Sequence, residues 1–136
     1  MTAYIDSSVL LRILMAQPDR LKQWRAIDRA VSSELIRVEC LRTIDRLRLA
    51  GSLDDNDISL RREAALQQLS GFDLIALDSR ILERAAEPFP TALGTLDALH
   101  LASALMARQE VPDLRLATHD RELATAARAI GFEVLS

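Results

Sequence analysis

Short apolar segments alternate with longer amphipathic segments along the whole chain, and this alternation limits the folds that are possible. The predicted strands are Thr2–Asp6, Ala30–Ser33, Phe72–Leu77, Leu114–Thr118 and Phe132–Leu135. Strands separated by helices favour a parallel sheet that is covered on both faces. We therefore expect an α/β fold, a three-layer α/β/α sandwich around a central, mainly parallel sheet of about five short strands.

The segments between these strands have the apolar spacing of helices. The predicted helices are Ser7–Met15, Pro18–Arg29, Glu34–Leu49, Asp54–Leu69, Ser79–Ala86, Leu96–Gln109 and Arg121–Ile130. Pro18 suits the first turn of its helix, where a missing N–H is tolerated. Thr95 suits an N-cap position, and Gly131 suits the position just after a helix end.

Length and composition indicate one domain spanning residues 1–136. The chain has 136 residues, 49% of them apolar and 27% charged, which is enough to bury a core without crosslinks. Cys40 is the only cysteine, which excludes a disulfide framework and a cysteine-based zinc site. The apolar run near Val9–Met15 is short and interrupted by Arg12, unlike a signal peptide or a membrane span. We expect a cytoplasmic protein with no membrane contact.

The net charge of −3 is unevenly distributed. Residues 1–62 hold eleven basic and nine acidic side chains, a net of +2, whereas residues 63–136 hold six and eleven, a net of −5. Arginine suits phosphate and carboxylate partners, but scattered charges usually solvate helix faces. The composition excludes a strongly basic nucleic-acid binder, so any contact with nucleic acid must be local.

The first predicted strand ends in an acid, within the stretch YIDSSVLL. Asp6 either caps the helix that follows or holds a group that needs negative charge. Ser7 and Ser8 are equally able to cap that helix, so capping does not require a carboxylate there.

Glu39 lies at the edge of an apolar helix face. The apolar stripe of this helix consists of Ile36, Cys40, Ile44 and Leu47. At about 100° per residue, Glu39 lies about 60° from Ile36. A carboxylate there must reach solvent, pair with Arg42 or Arg46, or bind a cation.

Two further acids stand at helix starts in the second half of the chain. Asp97 falls in the first turn of a helix, where the helix dipole favours an acid, and His100 follows one turn later on the same side. Asp120 comes directly after a strand and suits an N-cap. We expect His100 to have a structural or supporting role and His119 to face solvent.

Each acid has a structural explanation of its own, but the four in combination suggest a site. An open α/β sheet gathers the carboxyl ends of its strands at one edge. Uncompensated carboxylates that meet there repel one another strongly. A hard cation among the oxygens removes that repulsion, and a site without cysteine or paired histidine selects Mg²⁺ or Mn²⁺ over zinc.

The order of these residues resembles the PIN-domain family, and within it the VapC-type toxins of bacterial toxin–antitoxin pairs. The matching segments cover nearly the whole chain; they are YIDSSVLL, SSELIRVECLR, TLDALHLASAL and LATHDRELATAARAIGFEVL. Four separated acids occur in the same order as in the family, which makes this match more specific than any one segment. The resemblance implies a PIN-like fold and a metal-dependent endoribonuclease.

The resemblance also implies roles for individual residues. It assigns the catalytic and metal-binding acids to Asp6, Glu39, Asp97 and Asp120. Asp6 and Asp97 would be direct ligands, with supporting hydroxyls at Thr118 and at Ser7 or, alternatively, Ser8. It implies Mg²⁺ or Mn²⁺ as the cofactor, RNA as the substrate and a small antitoxin protein as the partner.

Phosphates of RNA need cations near this edge of the sheet. Arg12, Arg37 and Arg42 are candidates, and the sequence does not choose among them. We also predict a homodimer, because Pro18–Arg29 and Asp54–Leu69 both have amphipathic patterns.

Two other functions remain open. A phosphatase of the haloacid dehalogenase type also begins with a strand-end Asp, but it needs a second acid two residues later, where this chain has Ser8. A catalytically inactive binding module with the same fold is the other alternative.

Overall fold

The centre of the computed structural model, which describes all 136 residues, is a five-stranded sheet. The strands are β1 (Thr2–Ile5), β2 (Arg29–Ser33), β3 (Asp73–Ile75), β4 (Arg115–Ala117) and β5 (Val134–Leu135). Their spatial order is β3-β2-β1-β4-β5, and every neighbouring pair is parallel. The first strand of the chain is therefore the central strand of the sheet.

Six helices surround this sheet. They are α1 (Ser7–Leu14), α2 (Leu35–Leu49), α3 (Asp55–Ser70), α4 (Ser79–Ala86), α5 (Thr95–Glu110) and α6 (Arg121–Ala129). None of them combines the length and hydrophobicity needed to cross a lipid bilayer.

The alternation of side chains along β1 separates two hydrophobic cores. Ala3 and Ile5 pack into the core that α1, α2 and α3 build on one face. Tyr4 packs into the core that α5 and α6 build on the other face. Successive side chains of a strand point to opposite faces, so β1 is buried on both sides, as is usual in parallel sheets. The three-layer α/β/α prediction is confirmed.

The predicted helix Pro18–Arg29 is wrong. Only one 3₁₀ turn forms in this segment, at Trp24–Ala26. Arg12 of α1 donates to the backbone carbonyl and to the carboxylate of Asp19, at 3.2 and 2.7 Å. Leu21 is buried against the first core. These contacts anchor the segment as a loop, so its proline does not open a helix and the homodimer prediction loses one of its two helices.

The helix ends are mostly where the sequence places them. Thr95 is the exception, because α5 already includes it and Gly94 occupies the N-cap position without a side-chain bond. Gly131 follows the end of α6 with a φ of 90°, the left-handed conformation that glycine adopts without strain.

Candidate functional site

The carboxyl ends of β1 and β4 lie side by side. Ile5 is the register partner of Ala117, and the backbone N–H of Asp6 donates to the carbonyl of Ala117 at 3.0 Å. Asp6 therefore follows one strand while Asp120 comes shortly after its neighbour. Open parallel sheets bind ligands at this edge.

Asp6 is almost completely buried, with a relative exposure of 3%. Its Oδ2 accepts hydrogen bonds from the Ser8 hydroxyl at 2.6 Å and from the Thr118 hydroxyl at 2.9 Å. The backbone N–H of Ser8 donates to the same oxygen at 3.4 Å, which is the N-cap bond of α1. A buried carboxylate needs such donors. Asp6 thus caps α1 and is also a fixed anion at the sheet edge.

Two hydroxyls link Asp6 to the segment that follows β4. The Thr118 hydroxyl donates to Asp6 and accepts from the backbone N–H of Asp120 at 3.0 Å. The Ser8 hydroxyl lies 3.4 Å from that of Thr118. Ser7 is less closely engaged, with its hydroxyl 3.5 Å from Asp6 Oδ1. Of the two serines considered from the sequence, Ser8 therefore makes the stronger contact with Asp6.

Asp120 is the N-cap of α6. Its Oδ1 accepts from the backbone N–H of Leu123 at 2.9 Å. This bond satisfies one of the free N–H groups at the start of the helix. Capping fixes the carboxylate at the same end of the sheet as Asp6.

Asp97, in the first turn of α5, is the acid with the least compensation. Burial raises the pKa of its carboxyl to about 6, and the negative charge of Asp120 adds to that effect. Asp6 and Glu39 raise this pKa further, while His100 lowers it. The four acids thus act on one another electrostatically, which is the property of a cluster.

Glu39 reaches the cluster from α2, and its partner is a histidine. His100 Nε2 lies 2.5 Å from Glu39 Oε1 and 3.7 Å from Asp6 Oδ1. His100 Nδ1 lies 2.8 Å from the Tyr4 hydroxyl. Burial alone lowers the pKa of His100, but its bond to Glu39 and the nearby charge of Asp6 outweigh burial and raise that pKa. These contacts agree with a supporting role for His100.

The expectation that His119 faces solvent is wrong. Its side chain is half-buried, and its Nε2 is buried without a hydrogen-bond partner. Its backbone N–H donates to the Ser8 hydroxyl at 3.0 Å. Burial, and then the charge of Arg12, lowers the pKa of the imidazole. An unsatisfied polar atom therefore stands beside the acid cluster.

The sequence did not suggest that Tyr4 belongs to the site. The signal was the alternation within β1, since Tyr4 and Asp6 are two positions apart and side chains at that spacing share a face of the sheet. A tyrosine in a buried strand also needs a partner for its hydroxyl. Here that partner is His100.

The acids fit a divalent cation in chemistry and charge, although they do not converge on one position. All four offer oxygen donors, which hard cations prefer. The charges of the other three acids add to burial in raising the pKa of Asp97. No three Asp, Glu, His or Cys side chains are arranged as ligands of a single ion. Asp6 and Asp120 are engaged by hydroxyls and helix caps, and Glu39 by His100. Binding a cation therefore requires some of these side chains to turn.

Comparison with known proteins gives one consistent family. The family model described as PIN domain matches residues 3–129. Ribonuclease VapC46 of Mycobacterium tuberculosis is 34% identical over 136 residues, which covers 98% of this chain and 95% of that protein. Ribonuclease VapC47 of the same species is 29% identical over 140 residues, with coverage of 98% and 95%.

Solved structures share the fold at lower identity. A toxin–antitoxin complex from Klebsiella pneumoniae contains a chain that is 18% identical, with a TM-score of 0.70 and coverage of 98% of this chain and 96% of that chain. VapBC2 from Rickettsia felis, bound to a DNA fragment from its promoter, is 12% identical, with a TM-score of 0.65 and full coverage, 100%, of both chains. These similarities concern the fold, and they agree with the five parallel strands described above.

Proposed function

The chain belongs to the PIN-domain family, and from this premise we propose that it is an endoribonuclease of the VapC type, the toxin of a toxin–antitoxin pair. Membership of the family confirms the resemblance inferred from the sequence. The observation that carries the proposed activity is the clustering of four acids from distant parts of the chain. Burial raises the pKa of Asp97 to about 6, and the charges of the other three acids raise it further. Relatives named as ribonucleases support the reaction.

We propose that the same four acids hold Mg²⁺ or Mn²⁺. The residues concerned are Asp6, Asp97, Asp120 and Glu39. A divalent ion supplies a water nucleophile at neutral pH and neutralises charge on the phosphate. The support for this proposal is the oxygen-only donor set and the uncompensated charge at Asp97.

The protein's own contribution is to fix these carboxylates in advance. Ser8 and Thr118 hold one oxygen of Asp6, while the helix cap holds one oxygen of Asp120. These bonds restrict the positions of the two carboxylates before a cation binds. Asp97 has no such partner, so its carboxyl exchanges a proton for a cation most readily.

A loop that we call the basic loop, Pro18–Arg25, is our candidate for holding the RNA backbone. Its open cavity of about 380 Å³ is lined by one aromatic side chain and three basic ones. These side chains are Trp24, Arg20, Lys22 and Arg25. None of the three basic residues forms an ion pair within the protein. Unpaired cations next to an aromatic ring are typical of sites for single-stranded nucleic acid.

The basic loop begins close to the acid cluster. Arg12 Nη1 lies 2.7 Å from Asp19 Oδ2, and both charges act on the pKa of His119, the residue before Asp120. Arg12 is thereby already compensated, which weakens it as a phosphate-binding candidate. Phosphates bound along the loop would lie on a path towards the acids.

The other two arginines named from the sequence remain candidates. Arg37 and Arg42 are exposed on α2 and have no acidic partner. Either one is able to hold a phosphate.

We further propose a small antitoxin as the partner and a homodimer as the assembly. Proteins of this fold from Klebsiella pneumoniae and Mycobacterium tuberculosis were determined as toxin–antitoxin systems. Helix α3 leaves Leu60 and Leu66 exposed, at 55% and 38%, and a second chain would cover such apolar surface. Light scattering of the isolated protein tests the dimer, and a monomeric mass would contradict it.

Cleavage of cellular RNA tests the proposed activity. Wild type is compared with and without EDTA, beside Asp6→Asn, Asp97→Asn and the control Asp55→Asn, which changes a first-turn acid of α3 far from the cluster in sequence. We expect EDTA and the first two substitutions to abolish cleavage, and the control to retain it. Equal cleavage by all four proteins would mean a contaminating nuclease and would contradict the proposal.

A binding module without activity is the second candidate, and one observation favours it. No three side chains are arranged as ligands of one ion. If the protein only binds RNA, the wild type would bind RNA in the presence of Mn²⁺ without cutting it. Asp97→Asn would behave in the same way.

A further inference from the structure

A continuous path of hydrogen bonds runs through the buried interior from the sheet backbone to Glu39. The backbone N–H of Ser33 donates to the Tyr4 hydroxyl oxygen at 3.2 Å. That hydroxyl lies 2.8 Å from His100 Nδ1, and His100 Nε2 lies 2.5 Å from Glu39 Oε1. Tyr4 and His100 are 0% exposed, so solvent does not compete for these bonds. The path joins β2, β1, α5 and α2.

For a neutral His100 and an ionised Glu39, the chemistry of the groups gives the direction of each bond. A backbone N–H only donates, so the Tyr4 oxygen accepts from Ser33 and keeps its own hydrogen free to donate. An ionised carboxylate only accepts, so His100 Nε2 carries a hydrogen towards Glu39. In the neutral imidazole Nδ1 is then the acceptor for the Tyr4 hydroxyl. Each donor along the path has an acceptor.

Both ring nitrogens of His100 are therefore occupied. A nitrogen that binds a metal or takes a proton as a base needs a free lone pair. Nδ1 lies against the Tyr4 hydroxyl and Nε2 against Glu39. In the neutral ring the hydroxyl then donates to the lone pair of Nδ1, and Nε2 donates its hydrogen to Glu39. The imidazole therefore donates a hydrogen bond towards the acid cluster through Nε2, and it has no free lone pair with which to accept a proton or bind a metal.

Glu39 is held at one oxygen only. His100 bonds Oε1, and the side chain is 18% exposed, so it is neither free in solvent nor enclosed. A long carboxylate side chain loses rotamer freedom when it is fixed. A single charge-assisted bond from a buried donor restricts Glu39 while leaving Oε2 available.

We propose that His100 is a positioning residue which, supported by Tyr4, holds the Glu39 carboxylate at the acid cluster and is itself neither a metal ligand nor a base. The inference rests on the proposed function, because it gives Glu39 a task in that site. It also adds Tyr4 to the residues on which the activity depends.

A double-substitution cycle tests whether His100 acts through Glu39. The variants are His100→Leu, Glu39→Gln and the two combined, assayed for kcat and KM on one RNA substrate. We expect each single change to lower kcat about 10–100-fold, the usual effect of losing a residue that orients a metal-site ligand. The combined variant should be no worse than Glu39→Gln alone, because the two residues act as a unit. Losses that multiply would overturn the proposal.

Conservative variants separate positioning from general packing. His100→Gln keeps an N–H donor and should recover most of the kcat lost in His100→Leu. Tyr4→Phe keeps the ring in the core and removes only the hydroxyl, so it should lower kcat about tenfold with KM unchanged. Ile44→Val, a buried change on the helix that carries Glu39, should lower Tm without affecting kcat. Equal kcat losses in Ile44→Val and Tyr4→Phe would mean a purely structural role.

Nuclear magnetic resonance tests the path without RNA or metal. In long-range ¹H–¹⁵N spectra of the metal-free protein at alkaline pH, His100 should carry its hydrogen on Nε2 and leave Nδ1 bare. In Tyr4→Phe the ring should shift towards a mixture of the two tautomers. A hydrogen on Nδ1 in the wild type would overturn the proposal. Absence of RNA cleavage by wild type would instead contradict the proposed function, and the spectra would still decide the hydrogen-bond path.

Discussion

At the scale of single residues, Asp97 carries charge that the fold does not balance. Its pKa is about 6 because burial and the neighbouring acids disfavour the anion. For an acid with a raised pKa, the folded chain binds a proton more tightly than the unfolded chain. The stabilisation is complete below the unfolded value of 3.8 and is lost as pH rises through about 6. At pH 7.5 the ionised Asp97 thus destabilises the metal-free protein.

We expect Asp97→Asn to raise the Tm of the metal-free protein at pH 7.5 and to change it little at pH 4. Asp97 is only half-buried, so solvent screening limits the gain to about 1 kcal/mol, or about 3 °C in Tm. Mg²⁺ should raise the Tm of wild type more than that of the variant. Calorimetry in EDTA and in Mg²⁺, at both pH values, measures these differences.

Asp55→Asn is the matched control for this stability effect. Asp55 also lies in the first turn of a 16-residue helix, so the substitution removes the same favourable interaction with the helix dipole. It removes no repulsion between clustered acids, and Tm should stay the same or fall slightly. A rise equal to that of Asp97→Asn would show that the cluster is not the cause.

The Thr118 hydroxyl makes two hydrogen bonds. A substitution that keeps the size of the side chain tests the contribution of these bonds alone. Thr118→Val keeps the shape but leaves the Asp120 N–H without its acceptor and Asp6 without one donor. The expected loss is about 1–3 kcal/mol in the free energy of unfolding, with a fall in kcat. Thr118→Ser retains the hydroxyl and should retain both properties. Urea unfolding and RNA cleavage measure them, and identical behaviour of the two variants would contradict the role of the hydroxyl.

The candidate acids were accessible from the sequence, and their partners mostly were not. Asp6 and Asp120 follow predicted strands, and parallel strands end at one edge. Glu39 is different, because local spacing suggested Arg42 or Arg46, whereas the structure gives it His100, 61 positions away. Such a pairing depends on how α2 and α5 pack across the sheet, and no local pattern encodes it.

At the scale of secondary-structure elements, the end of α1 contains a strained residue and is stabilised by a side chain from α3. Ala16 follows the helix with a φ of 51°, a conformation that costs an L-residue about 1–2 kcal/mol. Arg61 of α3 donates to the carbonyl of Leu14 at 2.5 Å, which satisfies one of the free carbonyls of the helix end. The contact with α3 therefore helps to fix where α1 stops.

Exchanging alanine and glycine at two helix ends should have opposite effects. Ala16→Gly removes the strain at the end of α1 and should stabilise the protein by about 0.5–1 kcal/mol after the cost of glycine flexibility. Gly131→Ala places alanine at a φ of 90° and should destabilise it by about 1 kcal/mol. The new Cβ would be 3.7 Å from Arg108 Nη1, so the loss comes from backbone strain. Changes of the same sign in urea unfolding would contradict this account.

The sequence predicted most elements because strand–helix alternation is a local pattern. It failed for Pro18–Arg29, where apolar spacing indicated a helix and the chain forms a loop. The spacing of Leu21 and Trp24 allows both structures, since in either one these side chains pack on the core. The loop is accompanied by a contact between Arg12 and Asp19, a tertiary interaction that the local apolar spacing does not encode.

At the scale of the whole molecule, the negative charge of the acid cluster and the positive charge of the basic loop lie in different regions. The acids cluster at one edge of the sheet. The basic loop, whose cations have no acidic partner, starts at Pro18, next to Asp19, whose charge acts on His119. RNA that reaches the acids is repelled unless cations hold its phosphates. The molecule therefore needs both regions for the function that we propose.

Reversing the charge of the basic loop should weaken RNA binding. The triple variant carries Arg20→Glu, Lys22→Glu and Arg25→Glu, and its control carries Arg46→Glu, Arg62→Glu and Arg128→Glu, which are also exposed. We expect at least tenfold weaker binding of single-stranded RNA for the first variant. Each phosphate contact releases about 0.7 counterions from a single strand. Loss of three such contacts should therefore reduce the magnitude of the slope of log K against log salt by about 2. Fluorescence anisotropy in EDTA measures both, and equal loss in the two variants would mean that total charge alone matters.

The central position of the first strand has a consequence for the time at which the protein becomes active. During translation Asp6 is made early, but Thr118, which donates to it, is made 112 residues later. A domain generally folds as a unit, and β1 lacks its neighbour β4 until late in synthesis. A nascent chain that is still held in the ribosome thus has no complete acid cluster. For a ribonuclease, this order of synthesis separates the making of the enzyme from the start of its activity.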